Sequence, residues 1–253
     1  MKRIVLAALA LACTLVFLPA AGMAGAKPLD DAGKAEIEKV VRDYLLKNPE
    51  VIEEALQELE KRKQEKEVAE TKDKLRDNRD ALENSPLSYV AGNPDGDVTI
   101  VEFFDYNCGY CRRAMADLQK LMENDPKLRV VFKEFPILRE ESLDAAKVSV
   151  AAMLQGKYLQ FHFAMMESPG LADMDRAMQV AEKIGLDMDR VKRDIASDDI
   201  LAPIRESHRL ADAFGLQGTP SYFVGDEVVM GAVGYDELKA KIDSARSNGC
   251  LTC

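Results

Sequence analysis

The stretch from Val98 to Cys111 constrains this chain most. Val98-Thr99-Ile100-Val101-Glu102-Phe103-Phe104 is a nearly continuous apolar run, which suits a strand buried on both faces of a parallel sheet. Asp105-Tyr106-Asn107 leads into Cys108-Gly109-Tyr110-Cys111, after which Met115, Leu118, Leu121 and Met122 recur at helical spacing as far as Asn124. A second apolar run, 129–135, stops at Pro136. The reading is a strand–helix–strand unit of an α/β fold.

A cysteine at the start of a helix meets unpaired backbone N–H groups and the positive end of the helix dipole. Both favour thiolate over thiol. Cys108 occupies that position, and Cys111 follows about one helical turn later, near enough to close a disulfide or resolve a mixed one. Cys108 is therefore read as the attacking thiolate and Cys111 as the resolving thiol. Gly109 and Tyr110 carry little charge and would tune the potential. A metal knuckle or a stapling disulfide is the alternative for a lone C-x-x-C, but the position after a buried strand favours redox chemistry. Glu102, six residues before Cys108, would be costly to ionise inside the strand and could relay a proton for the buried thiol. Facing solvent from the strand end is its other reading. Gly218-Thr219-Pro220 precedes a third apolar run and reads from sequence as a turn.

The N-terminus bears on the redox compartment. Lys2 and Arg3, an apolar run from Ile4 to Leu18 and small residues through Ala26 have the layout of a secretory signal peptide. Cleavage is expected near Ala26, which would discard Cys13. A retained anchor is disfavoured because the run is short for spanning and Pro19 follows it. Removing residues 1–26, with two basic charges, takes the formal charge from −10 to −12. Such acidity argues against nucleic acid or anionic membrane as partners.

Residues 27–60 read as a helical oligomerisation region. Ile37, Val40, Val41, Tyr44 and Leu45, then Val51, Ile52, Ala55, Leu56 and Leu59, form two amphipathic helices, with Asn48 the expected N-cap of the second. Self-association would cover their apolar stripe. Residues 61–86 are almost wholly charged and offer Val68, Leu75 and Leu82, one apolar residue per heptad. That is too thin for a coiled-coil seam, so a solvated helical linker ending at Ser85-Pro86 is expected. Residues 87–253 form the catalytic domain, with a helical insertion at about 139–214. Two short strands then flank Gly225-Asp226-Glu227, and a last helix runs from Tyr235 to about Ser247.

Phe103 through Cys111, Lys133-Glu134-Phe135-Pro136 and Gly218-Thr219-Pro220 together resemble the DsbA-like branch of the thioredoxin superfamily, over about residues 87–247. The resemblance implies a thioredoxin fold with a helical insertion. It also implies that Pro220 is cis and faces Cys108, that Thr219 offers backbone hydrogen bonds to a client, and that Glu102 holds the family's acidic position. The N-terminal extension resembles that of the suppressor-of-copper-sensitivity C (ScsC-like) proteins, which implies a homo-oligomer, expected to be a trimer. Cys-Gly-Tyr-Cys and the Thr before Pro220 resemble the disulfide isomerases. The implied protein is a periplasmic disulfide isomerase acting on misfolded or disulfide-bonded clients, kept reduced by a membrane thiol reductase. A DsbA-like dithiol oxidase, or a Cu(I)-binding protein using the same cysteines, is the alternative.

Other features carry less. Cys250-Leu251-Thr252-Cys253 reads as a local disulfide or as functionless. Met153, Met165, Met166, Met174, Met178 and Met188 are expected in the core or on a client surface. His162 and His208 lack the spacing of a metal pair and are read as structural. No metal site and no cofactor are expected.

Overall fold

The computed structural model describes residues 30–248, so the expected signal peptide and the Cys250/Cys253 pair lie outside the described residues. The chain divides at Lys61/Arg62 into two compact units.

The first unit holds α1 (Asp31–Lys47) and the start of α2 (Glu50–Glu83). Asp30 caps α1, its carboxylate accepting from the Gly33 N–H at 2.9 Å. The break falls at Asn48-Pro49, where the sequence places it. The Asn48 side chain, however, serves the preceding helix. Its amide and its backbone N–H both donate to the Tyr44 carbonyl, each at 2.9 Å, closing α1 where four carbonyls would otherwise lack donors. No residue of α1 is buried, and Ile37, Val41 and Tyr44 stand 49%, 51% and 55% exposed.

The second unit is built on a five-stranded sheet. Its strands are β1 (Tyr89–Gly92), β2 (Val98–Phe104), β3 (Leu128–Glu134), β4 (Ser221–Val224) and β5 (Glu227–Met230), in the order β1-β3-β2-β4-β5. β2 and β3 run parallel and the other neighbours antiparallel. β1 is the strand the sequence did not announce. At its end Gly92 has φ +69, and a Cβ there would sit 2.5 Å from the Leu128 carbonyl oxygen.

The side-chain alternation of β2 divides the core in two. Ile100 and Phe104 face α3 (Gly109–Asn124) and the insertion. Val101 and Phe103 face the other way, with Val131, Phe135 and Phe223. The insertion comprises α4 (Glu140–Leu154), α5 (Tyr158–Glu167), α6 (Met174–Lys183), α7 (Met188–Ile195), a 3-10 turn and α8 (Ala202–Phe214); α9 (Tyr235–Asn248) packs on α3. Met165 and Met166 are buried, and Met153, Met174, Met178 and Met188 pack around the same core.

The solvated linker expected through residue 86 needs correction. Leu75, Arg79 and Leu82 are buried, and both leucines join the core on the Val101/Phe103 face. One apolar residue per turn or two cannot zip helices together, but a sheet already covered by phenylalanines needs only such a stripe laid over it. Polar contacts fix the lay. Arg79 reaches Glu83 at 2.5 Å and Asp226 at 3.2 Å. The buried Lys133 ammonium donates to the Ala81 carbonyl, Ser88 and Glu206 at 2.5, 2.6 and 3.1 Å.

Leu82→Ala should therefore destabilise the protein by about 2–5 kcal/mol in urea denaturation followed by circular dichroism. Val68→Ala, half exposed on the same helix, should cost less than about 0.5 kcal/mol. Equal responses would restore the solvated-linker reading.

Candidate active site

The loop after β2 is set by Asp105. One carboxylate oxygen accepts from the Asn107 N–H at 2.7 Å, and the other from the Ile137 and Leu138 N–H groups at 2.8 and 2.9 Å. The Asp105 carbonyl accepts from the Cys108 N–H at 2.9 Å. Cys108 is thereby placed as the N-cap of α3 with extended backbone, its sulfur accepting from the Cys111 N–H at 3.2 Å. Here a thiol does what Ser, Thr, Asp or Asn usually does at an N-cap.

The chain returns to this point from far along the sequence. The loop before β4 brings the Thr219 carbonyl to 3.1 Å from the Cys108 sulfur, and the Thr219–Pro220 bond is cis. The structure thus gathers Cys108, Cys111, Thr219 and Pro220. Both cysteines are free thiols and buried. The Thr219 hydroxyl is buried and has no hydrogen-bond partner among the described residues. Gly109 and Tyr110 form the outer turn. Tyr110 is 62% exposed, and the Arg113 guanidinium sits 4.5 Å over its ring.

These surroundings separate the two thiols. The Cys111 thiol hydrogen bond, helped by Thr219 and the N–H groups of Cys111 and Tyr110, brings Cys108 down to about 6 against the resistance of burial. Burial pushes Cys111 strongly up, and its neighbours Cys108 and Glu102 add to the rise. One sulfur is a thiolate at neutral pH while the other keeps its proton.

Glu102 does not face solvent. It is 2% exposed, between Phe132 on β3 and Tyr222 on β4 in the strand register. Burial raises its carboxyl to about 8, the Tyr222 hydroxyl opposing and Cys108 adding to the rise.

Two residues that sequence reasoning passed over brace this centre. Asn107 donates to Ser142 and to the Ala172 carbonyl at 3.0 and 3.1 Å, and accepts from the Ala172 N–H at 2.8 Å. The Arg112 guanidinium donates to the carbonyls of Tyr106 at 3.0 Å, Gly170 at 3.2 Å and Ser168. Together they clasp segment 168–172 of the insertion from both sides of the cysteine pair. The available signal was a strong hydrogen-bonding residue flanking each cysteine.

Behind them, Tyr106 meets Ser149 at 2.7 Å and His162 at 3.3 Å, and Ser149 and Tyr158 donate to Glu134 at 2.6 and 2.9 Å. Burial lifts Glu134 to about 8 and lowers His162 to about 3. His162 is therefore a neutral core residue, and His208 packs edge-on to Phe135 at 5.1 Å. Among the described residues no group of three or more His, Cys, Asp or Glu is arranged to hold a metal ion.

A mixed sheet interrupted by a helical insertion, with a dithiol at a helix N-terminus facing a cis-proline loop, defines a thioredoxin-fold protein. Residues 99–243 match the DSBA-like thioredoxin domain, and the chain belongs to that family of thiol–disulfide oxidoreductases. Residues 34–66 match the N-terminal domain of the copper resistance protein ScsC.

Among solved structures, a thioredoxin-like oxidoreductase from Silicibacter pomeroyi is 47% identical with a TM-score of 0.65, over 67% of this chain and 98% of that one. ScsC of Proteus mirabilis in a transitional conformation is 29% identical with a TM-score of 0.64, over 87% and 98%. Curated relatives include a Na(+)/H(+) antiporter NhaA 1 of Salinispora arenicola, 28% identical over 62% of this chain and 24% of that protein. The chain thus spans about a quarter of the length of the curated relatives it matches. Among the described residues, no helix is long and apolar enough to cross a membrane.

The depressed Cys108 value has a consequence for stability. A thiol whose folded value is about 6 against an ordinary 9 contributes stability that is fully present above the unfolded value. That contribution is lost as pH falls through 6. The stability of the reduced protein relative to Cys108→Ser should therefore rise with pH between 6 and 9, measured by urea denaturation at fixed ionic strength. A flat difference would show that the sulfur is not held as a thiolate.

Proposed function

We propose that this chain is an exported protein disulfide isomerase that works through Cys108 and Cys111. The 3.1 Å approach of the Thr219 carbonyl to the Cys108 sulfur carries the reading, because it puts an extended-chain docking edge beside a thiolate. The Cys108 thiolate attacks one sulfur of a client disulfide, a mixed disulfide forms, and the other client sulfur leaves as thiolate. A different client thiolate then attacks the client sulfur held by Cys108, which forms a different client disulfide and releases Cys108 as thiolate. Alternatively, Cys111 attacks Cys108, which frees a reduced client and leaves Cys108–Cys111 oxidised. Thr219 pairs with the client backbone, while Pro220, Gly109 and Tyr110 line its path.

Isomerisation requires the pair to be reduced, so a thiol reductase at the membrane is the electron source. The leader at residues 1–26 points to the periplasm as its place of work. The exposed stripe of Ile37, Val41 and Tyr44, together with the ScsC-type match over 34–66, supports a homotrimer that surrounds the client with several sites. The two sulfurs also offer Cu(I) a soft ligand pair once Cys111 gives up its proton, a secondary role consistent with that match.

Reactivation of scrambled ribonuclease should exceed that given by free glutathione and vanish in Cys108→Ser. Deleting residues 27–60 should leave thiol exchange intact, give a monomer by light scattering and cut isomerisation by about an order of magnitude or more, as the effective concentration of neighbouring sites is lost. Absence of any gain over glutathione, or a potential near about −120 mV, would make the protein an oxidase.

A further inference from the structure

Tyr222 lies two residues beyond Pro220, directly opposite Glu102 in the β2–β4 register. Opposed residues of an antiparallel pair project from the same face with Cβ atoms about 4.5–5.5 Å apart. Both are enclosed, Glu102 at 2% exposure and Tyr222 at 0%. The Tyr222 hydroxyl is buried with no partner at ordinary hydrogen-bond geometry among the described residues, and Glu102 is the acceptor it bears on. Leaving a buried hydroxyl poorly paired is costly, whereas phenylalanine would fill the position without that cost. The fold has therefore kept a donor where packing alone asks only for a ring.

The groups around that hydroxyl belong to the reaction. Glu102 faces it across the sheet, Cys111 acts on it from the first turn of α3, and Cys108 acts on Glu102. Tyr106 acts on Glu102 from the preceding loop, and Asp117 on α3 reaches Tyr222. Burial first, then the Glu102 and Cys111 charges, push the Tyr222 phenol up, so it keeps its proton and remains a donor.

We propose that Tyr222 is a positioning residue: its hydroxyl donates to the Glu102 carboxylate and holds it to accept the proton of Cys111. This rests on the dithiol reading above and deepens it. The Cys111 proton passes to Glu102, and the resulting thiolate attacks the Cys108 sulfur of a mixed disulfide. The bond from Cys108 to the client breaks, the client departs as thiolate, and protonated Glu102 returns its proton to that thiolate or to solvent. A donor on the ionised carboxylate favours that form, so the Tyr222 hydroxyl enlarges the fraction of Glu102 able to act as base at neutral pH.

Tyr222→Phe removes the oxygen and keeps the ring. In the full-length protein, the rates of mixed-disulfide formation with a cysteine peptide disulfide and of its resolution are measured against pH. Formation should stay within about twofold of the parent. The resolution profile should move up by about one pH unit, slowing that step about tenfold at neutral pH. Tyr222→Met should give the same shift should Tyr222→Phe fold poorly. In a Glu102→Gln background Tyr222→Phe should add nothing. An unmoved profile, or an equal slowing with Glu102 already replaced, overturns the proposal. A parent protein that forms no mixed disulfide removes the dithiol reading, and this inference with it.

Discussion

The hydrogen bond from the Cys111 N–H to the Cys108 sulfur, 3.2 Å long, is the contact on which the rest of the site depends. It makes a thiol the first acceptor of α3, so the helix begins where the sulfur sits, and the Cys111 thiol, Thr219 and the N–H groups of that first turn together favour the ionised sulfur. The buried strand β2 supplies the rigidity behind it. Asp105, at the end of that strand, spends both carboxylate oxygens on backbone N–H groups, which fixes the loop before Cys108. Chemistry at the tip then follows from position: one sulfur lies among donors, while its partner is a turn deeper, where burial outweighs the donor that reaches it.

A second layer of buried polar groups ties this tip to the insertion. Glu134, Ser149, Tyr106, Tyr158 and His162 form one connected set in an otherwise apolar core. Satisfied networks of this kind specify a single arrangement because each misplaced member leaves a costly unpaired group. The set joins β3, the loop before Cys108, α4 and α5, so the insertion is registered against the sheet by polar contacts as well as by packing.

Much of this was legible in the sequence, because β2, α3 and β3 have the hydrophobic periods of their structures and Cys108 sits at the junction. Glu102 was legible as an acid inside an apolar run, and the helical character of 142–214 was plain from its spacing. β1 escaped notice because Tyr89-Val90-Ala91-Gly92 is short, half exposed and defined mainly by its pairing with β3. Leu75 and Leu82 were misjudged for a different reason. Their spacing was weighed against a helix partner, and only the fold reveals that the surface under α2 is a sheet. Asn107 and Arg112 showed only that a hydrogen-bonding residue flanks each cysteine, and Tyr222 showed nothing, since their partners lie 65, 58 and 120 residues away along the chain, where no local pattern names them.

The clasp on segment 168–172 grips main chain. Asn107 takes the Ala172 N–H and carbonyl, and Arg112 takes the carbonyls of Ser168 and Gly170. The carbonyls are common to every residue type and the N–H to all but proline, so the side chains of the segment are left out of the grip, Leu171 among them at 39% exposure. The arrangement separates two demands that usually conflict in an enzyme. What lies beside Cys108 can drift through substitution, generation by generation, while Cys108 itself stays where the helix put it.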